Sequence, residues 1–360
     1  MAIDFGPIKS LMDSSDISEV MINAWSKIYA EHKGLLIATS AKFIDARQFE
    51  ELLHSILAAD KKDPQQGLFF DGVIHPYGYR YNITFPPMSP RGPSLTIRKF
   101  NVKNFTLQDL IKSDFISGSA AQFLHFAVQS RLSIIISGGT GSGKTSFLNT
   151  LGSMIPQSER IVSIEDVAEL RLNHPNWLPL QAVRQDVLGE TRSVTPRDCL
   201  VNALRMRPDR IIVGECRKDE TFDMLQAMNT GHDGSMTTVH GNTPSEALLR
   251  LESLVQFSGI DLPIRHLRMQ MSKGIDLVIQ IRRRADGKRE VSEIIELTGM
   301  EGEVISRSPI YERNRNGELA SVGYVPRSLD KINREKTLLP ASHFTKPPTS
   351  TNPTVTKKAS

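Results

Sequence analysis

The chain has 360 residues, 39% of them hydrophobic and 23% charged, enough for two or three domains with packed cores. Its net charge of +4 sits in the tail: residues 331–360 hold Lys331, Arg334, Lys336, Lys346, Lys357 and Lys358 against Glu335, a local +5 that leaves −1 for the rest. A near-neutral body argues against a nucleic-acid groove, no apolar run reaches the ~20 residues that span a bilayer, and the start MAIDFGPIKS lacks a signal-peptide layout.

Taken in chain order, Ile17–Ile22 reads as a strand, and Lys27–Glu31 and Leu35–Ile37 flank a turn at Lys33-Gly34. Asp45 is placed to cap a helix running to about Ala59, with Phe49, Leu52, Leu53, Ile56 and Leu57 on one face. Residues 68–100 alternate like strands, broken by Pro86-Pro87 and Pro90. Residues 1–100 therefore predict a small α+β domain, and 101–108 a linker. From there strands and helices alternate. Leu132–Ser137, Arg160–Ile164, Arg210–Val213 and Ser235–Val239 read as short buried strands, and helices are expected from Lys144 and over Arg197–Met206, Glu220–Asn229 and Pro244–Val255. Thr243, Pro244 and Glu246 form a capping-box pattern for the last of these. Asp276–Ile281 and Glu290–Leu297 predict a hairpin around Asp286-Gly287. The alternation implies an α/β domain with a largely parallel sheet over 109–310. Residues 311–339 read as a C-terminal extension, and the Pro-, Ser-, Thr- and Lys-rich residues 340–360 as a disordered tail. Cys199 and Cys216 are spaced neither as a metal site nor as a disulfide framework, so a reduced cytoplasmic setting is expected.

The run Gly138-Gly139-Thr140-Gly141-Ser142-Gly143-Lys144-Thr145, followed by Ser146, matches the full P-loop pattern between a predicted strand and a predicted helix. Its glycines let backbone N–H groups cradle phosphates, and the helix N-terminus adds positive charge. Lys144 is expected on the β- and γ-phosphates of ATP and Thr145 on magnesium. Ile211–Glu215 is a strand ending in a carboxylate, where a magnesium-holding or water-polarising acid belongs. Gly214 stands where many ATPases have Asp, so Glu215 carries that role alone. Glu165 and Asp166 end another strand; they could supply a general base and a further magnesium contact, or merely a helix cap and a solvated acid. His240, at a strand end, could sense the γ-phosphate, although a lone histidine there is more often structural. His232 lies at that strand's other end. Arg80, Arg98, Arg205, Arg207 and Arg217 are all candidates for a cationic contact, and composition does not choose among them.

In order, the P-loop, IEDVAELRL at 164–172, NALRMRPDRIIVGECR at 202–217 and MNTGHDGSMTTVH at 228–240 resemble the Walker A, Asp box, Walker B and His box of the type II/type IV secretion ATPase superfamily. With ISEVMIN at 17–23, GPSLTIRKF at 92–100 and LTGMEGEVI at 297–305, the wording is closest to the CpaF-like ATPases of tight-adherence pili. The resemblance covers roughly residues 15–310. It implies a PAS-like N-terminal domain, a RecA-like P-loop ATPase domain and a hexamer binding ATP and magnesium between the two domains. Glu165 and Glu215 are then the catalytic carboxylates, with Thr145, Glu215 and Asp166 toward the metal. His240, Arg80, Arg98 and Arg217 complete the implied site. The implied partners are other copies of the chain and an inner-membrane platform protein, with peripheral membrane association and no direct nucleic acid. The runner-up is a conjugation-type secretion ATPase moving DNA–protein cargo. Two departures stand out: there is no four-cysteine zinc module, and Cys216 replaces an expected aliphatic residue.

Overall fold

The computed structural model describes residues 3–99, 105–183, 193–334 and 339–346. Contacts divide the chain into two units, Met1–Lys103 with Arg284–Lys288, and Asn104–Arg283 with Arg289–Ser360. Half of the expected linker, 101–104, lies outside the described residues.

The first unit opens with a short helix, α1 (Lys9–Asp13), and strands β1 (Ile17–Ala24), β2 (Lys27–His32) and β3 (Leu35–Ala38). Helix α2 (Ala46–Ala59) follows, then β4 (Phe69–Ile74), β5 (Tyr79–Thr84) and β6 (Ser94–Arg98). The six strands form one antiparallel sheet in the order β3-β2-β1-β6-β5-β4. Asp45 caps α2 by accepting from the Gln48 N–H at 2.9 Å, and the Gln48 side chain returns a bond to the Ile44 N–H. The buried stripe Phe49, Leu52, Leu53, Ile56 and Leu57 then packs with Val20, Ile22, Ile83, Leu95 and Ile97 of the sheet. Lys99 is 5% exposed; its ammonium donates to the carbonyls of Leu11 and Ser14 and fastens the end of α1.

The second unit begins with α3 (Leu107–Lys112), α4 (Gly118–Gln129), β7 (Ile134–Gly138), α5 (Lys144–Gly152), β8 (Ile161–Glu165) and β9 (Trp177–Gln181). Next come α6 (Pro196–Ala203), β10 (Arg210–Val213), α7 (Glu220–Asn229), β11 (Met236–His240), α8 (Pro244–Phe257) and α9 (Ile264–Gly274). It ends with β12 (Leu277–Arg283), β13 (Arg289–Glu301), β14 (Val304–Arg313), β15 (Leu319–Ser321) and α10 (Leu329–Arg334). One sheet holds all nine strands in the order β15-β14-β13-β12-β7-β11-β10-β8-β9. It is parallel from β9 to β12 and antiparallel from β12 to β15. Its central strands β7, β8 and β10 are buried on both faces because helices cover both. Ile134 and Ile136 join a core with Phe123, Phe147 and Leu151, whereas Ile135 joins one with Leu200, Leu225, Leu251 and Leu267.

At the amino edge of the parallel strands Arg210 is fully buried. Its guanidinium donates to Glu159 at 2.5 Å and to the carbonyls of Val128 and Gly234. A side chain on Gly234 would fall 2.2 Å from the Arg210 guanidinium.

Several expectations need correction. The hairpin does not end the sheet: β14 and β15 continue it, and Ile332, Leu339 and Phe344 enter the same core as Phe123 and Tyr311. Residues 311–334 and 339–346 are therefore part of the second unit rather than an extension and a disordered tail. The disorder expectation fails at 340–346 because Phe344, 1% exposed, packs edge-on against Phe123, with its carbonyl held by the Ser321 hydroxyl; 347–360 lie outside the described residues. Thr243 accepts the Glu246 N–H, but Glu246 reaches one residue further back, to Asn242, so the box is not reciprocal. Reciprocal boxes form at Thr106 with Asp109, starting α3, and at Thr195 with Asp198, starting α6. Strand β9 was unforeseen.

Candidate functional site

Strands β7, β8, β10 and β11 are parallel and in register, so their carboxyl ends meet along one edge. Gly138 lies opposite His240, and Val213 opposite Ile164. This edge gathers the P-loop, Glu165, Glu215 and His240. Arg205, Arg207 and His232 precede β10 and β11 and so belong to the opposite edge, away from the P-loop.

The P-loop leaves β7 at Gly138, where a side chain would lie 2.5 Å from the Ser142 hydroxyl and 2.6 Å from the Ile281 carbonyl. Gly141 and Gly143 have φ of 69° and 96°, which bends the loop into the N-terminus of α5. The Lys144 ammonium donates to the carbonyls of Gly138 and Gly139 at 2.9 and 3.0 Å, so it lies over the loop it is expected to serve. Ser142 is buried and donates to the Gly139 carbonyl, while Thr140 and Ser146 are exposed. Backbone N–H groups, a helix N-terminus and one lysine brought to one loop fit a polyphosphate.

Glu165 ends β8 and is 6% exposed. Its carboxylate accepts the backbone N–H groups of Glu169 and Leu170, each at 2.9 Å, which folds the chain after β8 back on itself. Burial pushes its pKa up to about 7, against the opposing pull of those two donors. Asn149 of α5 accepts the Arg171 N–H, joining this segment to the P-loop helix. A side chain on Gly214 would come 3.1 Å from Glu165 Cγ, so Glu165 occupies the space an aspartate there would need. Glu215 follows directly. Arg217 donates to it through Nε at 2.6 Å and through a second, shorter bond, and lies 3.8 Å from Asp166. Glu165, Glu215, Asp166 and Arg217 are thus one cluster. Cys216 is turned inward: its thiol meets the Thr237 hydroxyl at 3.3 Å, and burial pushes its pKa up to about 12, so it is an inert core group. Among the described residues no three or more His, Cys, Asp or Glu side chains form a ready metal cage.

Arg80 and Arg98 belong to the first unit. They face each other directly across β5 and β6, and Glu19 of β1 continues the row beyond Arg98. Arg98 is exposed while its neighbour Ile97 is buried, in the alternation the sequence predicts.

Two further arginines of the second unit lie at the P-loop and were missed by the sequence reading. Arg289 Nε donates to the Gly141 carbonyl at 2.8 Å, and its Cδ is 3.3 Å from where a Gly143 side chain would begin. Arg283, paired with Arg289 across the hairpin, is 3.8 Å from the corresponding point on Gly141. Their cue was basic residues flanking a predicted turn, which resembles any solvated hairpin tip.

Residues 2–294 match the family model described as Type II/IV secretion system protein. A Mycobacterium tuberculosis protein provisionally named for conjugal transfer is 32% identical over 305 residues, covering 83% of this chain and 86% of its own. The conjugal transfer protein TrbB of Rhizobium radiobacter is 31% identical over 292 residues, 80% of this chain and 86% of that one. The fold is similar to the ATPase DotB of Legionella pneumophila, with a TM-score of 0.59, 22% identity and 81% of each chain covered. The chain belongs to the type II/IV secretion system protein family.

Proposed function

We propose that this protein is a ring-forming motor ATPase that hydrolyses ATP to drive a secretion or pilus machine. The observation that carries the reading is the buried Glu165 carboxyl, with its pKa near 7, at the same sheet edge as the P-loop and beside the Glu215–Arg217 pair. A carboxyl with a pKa near the operating pH suits proton abstraction from an attacking water. Lys144 and the loop N–H groups hold the β- and γ-phosphates. Thr145, Glu215 and Asp166 hold magnesium, which when bound offsets phosphate charge. Glu165 takes the proton of the water that displaces ADP from the γ-phosphoryl group, and the products are ADP and inorganic phosphate. Arg217 orients Glu215, His240, opposite Gly138 at the start of the P-loop, is the candidate sensor of the γ-phosphate, and Arg80 and Arg98 are further candidates for stabilising the transferred phosphoryl group. In this reading the second unit is RecA-like, the first PAS-like, and the working form is a homohexamer in the cytoplasm, attached to the inner membrane through a platform protein. No helix among the described residues is long and apolar enough to cross a membrane.

The names of the two relatives favour a conjugation-type machine moving DNA–protein cargo. The wording of GPSLTIRKF and IEDVAELRL favours a tight-adherence pilus or type II-like machine. Complementing deletions of each kind of motor gene separates the two. The activity itself is tested by steady-state hydrolysis. Lys144→Ala is expected to abolish it, and Glu215→Gln to cut it about 10²-fold or more while ATP still binds. Turnover near wild type in either variant refutes the assignment.

A further inference from the structure

Strand β12 runs through the middle of the nine-stranded sheet, and its sequence LVIQI places one polar side chain, Gln280, where an apolar one belongs. Gln280 is 3% exposed. It pairs across the sheet with Ser137, which pairs in turn with Val239, so the three lie in one row over β12, β7 and β11. Both polar members of that row point at one atom. Gln280 Nε2 donates to the Gly241 carbonyl at 3.1 Å, and the Ser137 hydroxyl donates to the same oxygen at 3.3 Å. Gly241 is the residue after His240. The chain is pressed close here: a side chain on Gly241 would meet the Ala247 nitrogen of α8 at 2.9 Å and the Ser137 hydroxyl at 3.0 Å. On its other side Asn242 Oδ1 is 4.0 Å from where a Gly139 side chain would begin, so the segment 240–242 borders the P-loop.

The other end of the Gln280 amide has no partner: its Oε1 is buried and unbonded. An unpaired buried acceptor costs roughly 1–3 kcal/mol, so stability alone would favour methionine or leucine at this position. The position therefore gains something other than stability: its amide nitrogen holds the carbonyl after His240, and at 3.3 Å also that of its own neighbour Ile281.

We propose that Gln280 is a positioning residue for turnover. Through the Gly241 carbonyl it fixes His240 and Asn242 against the P-loop, with Ser137 as the second donor. This rests on the ATPase reading for its kinetic part and on geometry alone for its structural part. Gln280→Met keeps length and shape, removes the donor and the orphan acceptor together, and is expected to melt no lower than the wild type. Ser137→Ala removes the second donor with a smaller change of volume, and remains informative if Gln280→Met folds poorly.

Hydrogen exchange of the nucleotide-free protein tests the hold directly. In either variant the peptide covering 239–247 is expected to exchange roughly 10-fold faster, with the peptide covering 138–146 unchanged. Steady-state kinetics then tests the consequence: kcat falls roughly 10-fold in Gln280→Met while KM for ATP and affinity for ADP stay within about twofold. His240→Ala combined with Gln280→Met is expected to be no slower than His240→Ala alone, because both losses act through one segment. Unchanged exchange at 239–247 overturns the hold. Normal kcat, equal weakening of ADP binding, or multiplying losses in the double variant overturns the positioning role. A wild type that never hydrolyses ATP overturns that role together with the ATPase reading, while exchange still decides the hold.

Discussion

Glu165→Gln should stabilise the protein while disabling it. The wild-type carboxyl has its pKa raised by burial from 4.5 to about 7, so the folded state holds its proton more tightly than the unfolded chain does. Below about pH 4.5 both states are protonated and the site costs nothing. As pH rises the unfolded chain ionises first, and the burden on the fold grows until the folded carboxyl ionises as well. At 1.36 kcal/mol per unit, the burden is about 1 kcal/mol near pH 5.5 and about 3 kcal/mol near pH 8. Glutamine carries no charge, and its Oε1 can still accept the N–H groups of Glu169 and Leu170. Thermal unfolding of wild type and variant, without nucleotide and in the presence of a chelator, should therefore diverge with pH. The variant's midpoint is expected to exceed wild type by roughly 5–10 °C near pH 8 and by a few degrees near pH 5.5. Hydrolysis should fall about 10²-fold near pH 8 and by much less near pH 5.5, where the wild-type carboxyl is itself largely protonated. A gap independent of pH, or a variant less stable than wild type near pH 8, would show that Glu165 is not held as a desolvated carboxyl.

Other outcomes follow from the same geometry. Arg289→Ala removes the guanidinium bonded to the Gly141 carbonyl, and should weaken ADP and ATP binding by similar factors of about 10, in line with a charged hydrogen bond to the phosphate loop; calorimetric titration with each nucleotide reads this, and loss confined to ATP would refute it. Phe344→Ala should lower unfolding free energy by about 3 kcal/mol, since the ring is buried against Phe123 and Tyr311. Chemical denaturation with an unchanged midpoint would return residues 340–346 to the status of a loose tail.

The features legible in the sequence were those carried by neighbouring residues. The P-loop is eight consecutive positions between a strand and a helix, so its local chemistry and its place in the fold coincide. Asp45, Thr243 and the stripe from Phe49 to Leu57 likewise act within a turn or two of helix. Arg289 reaches Gly141 from 148 positions away, and Gln280 reaches Gly241 from 39. No periodicity encodes such distances, because they are set by which strands become neighbours in the sheet. Strand β9 escaped notice because Pro179 sits within it, a residue tolerated there since β9 is an edge strand. Phe344 was misjudged for the opposite reason: one aromatic amid Pro, Ser, Thr and Lys left local composition unchanged, yet a single ring is enough to dock a segment.

The buried Arg210 has a bearing on which sequences this fold can reach by single steps. Removing Glu159 alone leaves the buried guanidinium with only the carbonyls of Val128 and Gly234, and breaking such a pair typically costs about 3–5 kcal/mol, whereas removing Arg210 alone leaves the Glu159 carboxylate a second cation, Arg131, at 3.3 Å. Any side chain at position 234 collides with Arg210 while the arginine remains. Gly234 is the most constrained of the three: even without Arg210 a side chain there meets the Arg131 Cα at 2.8 Å, on a backbone whose φ is 80°. Arg210 can change with Arg131 as the carboxylate's remaining partner, so drift at this corner of the sheet should begin at the arginine and leave the glycine in place.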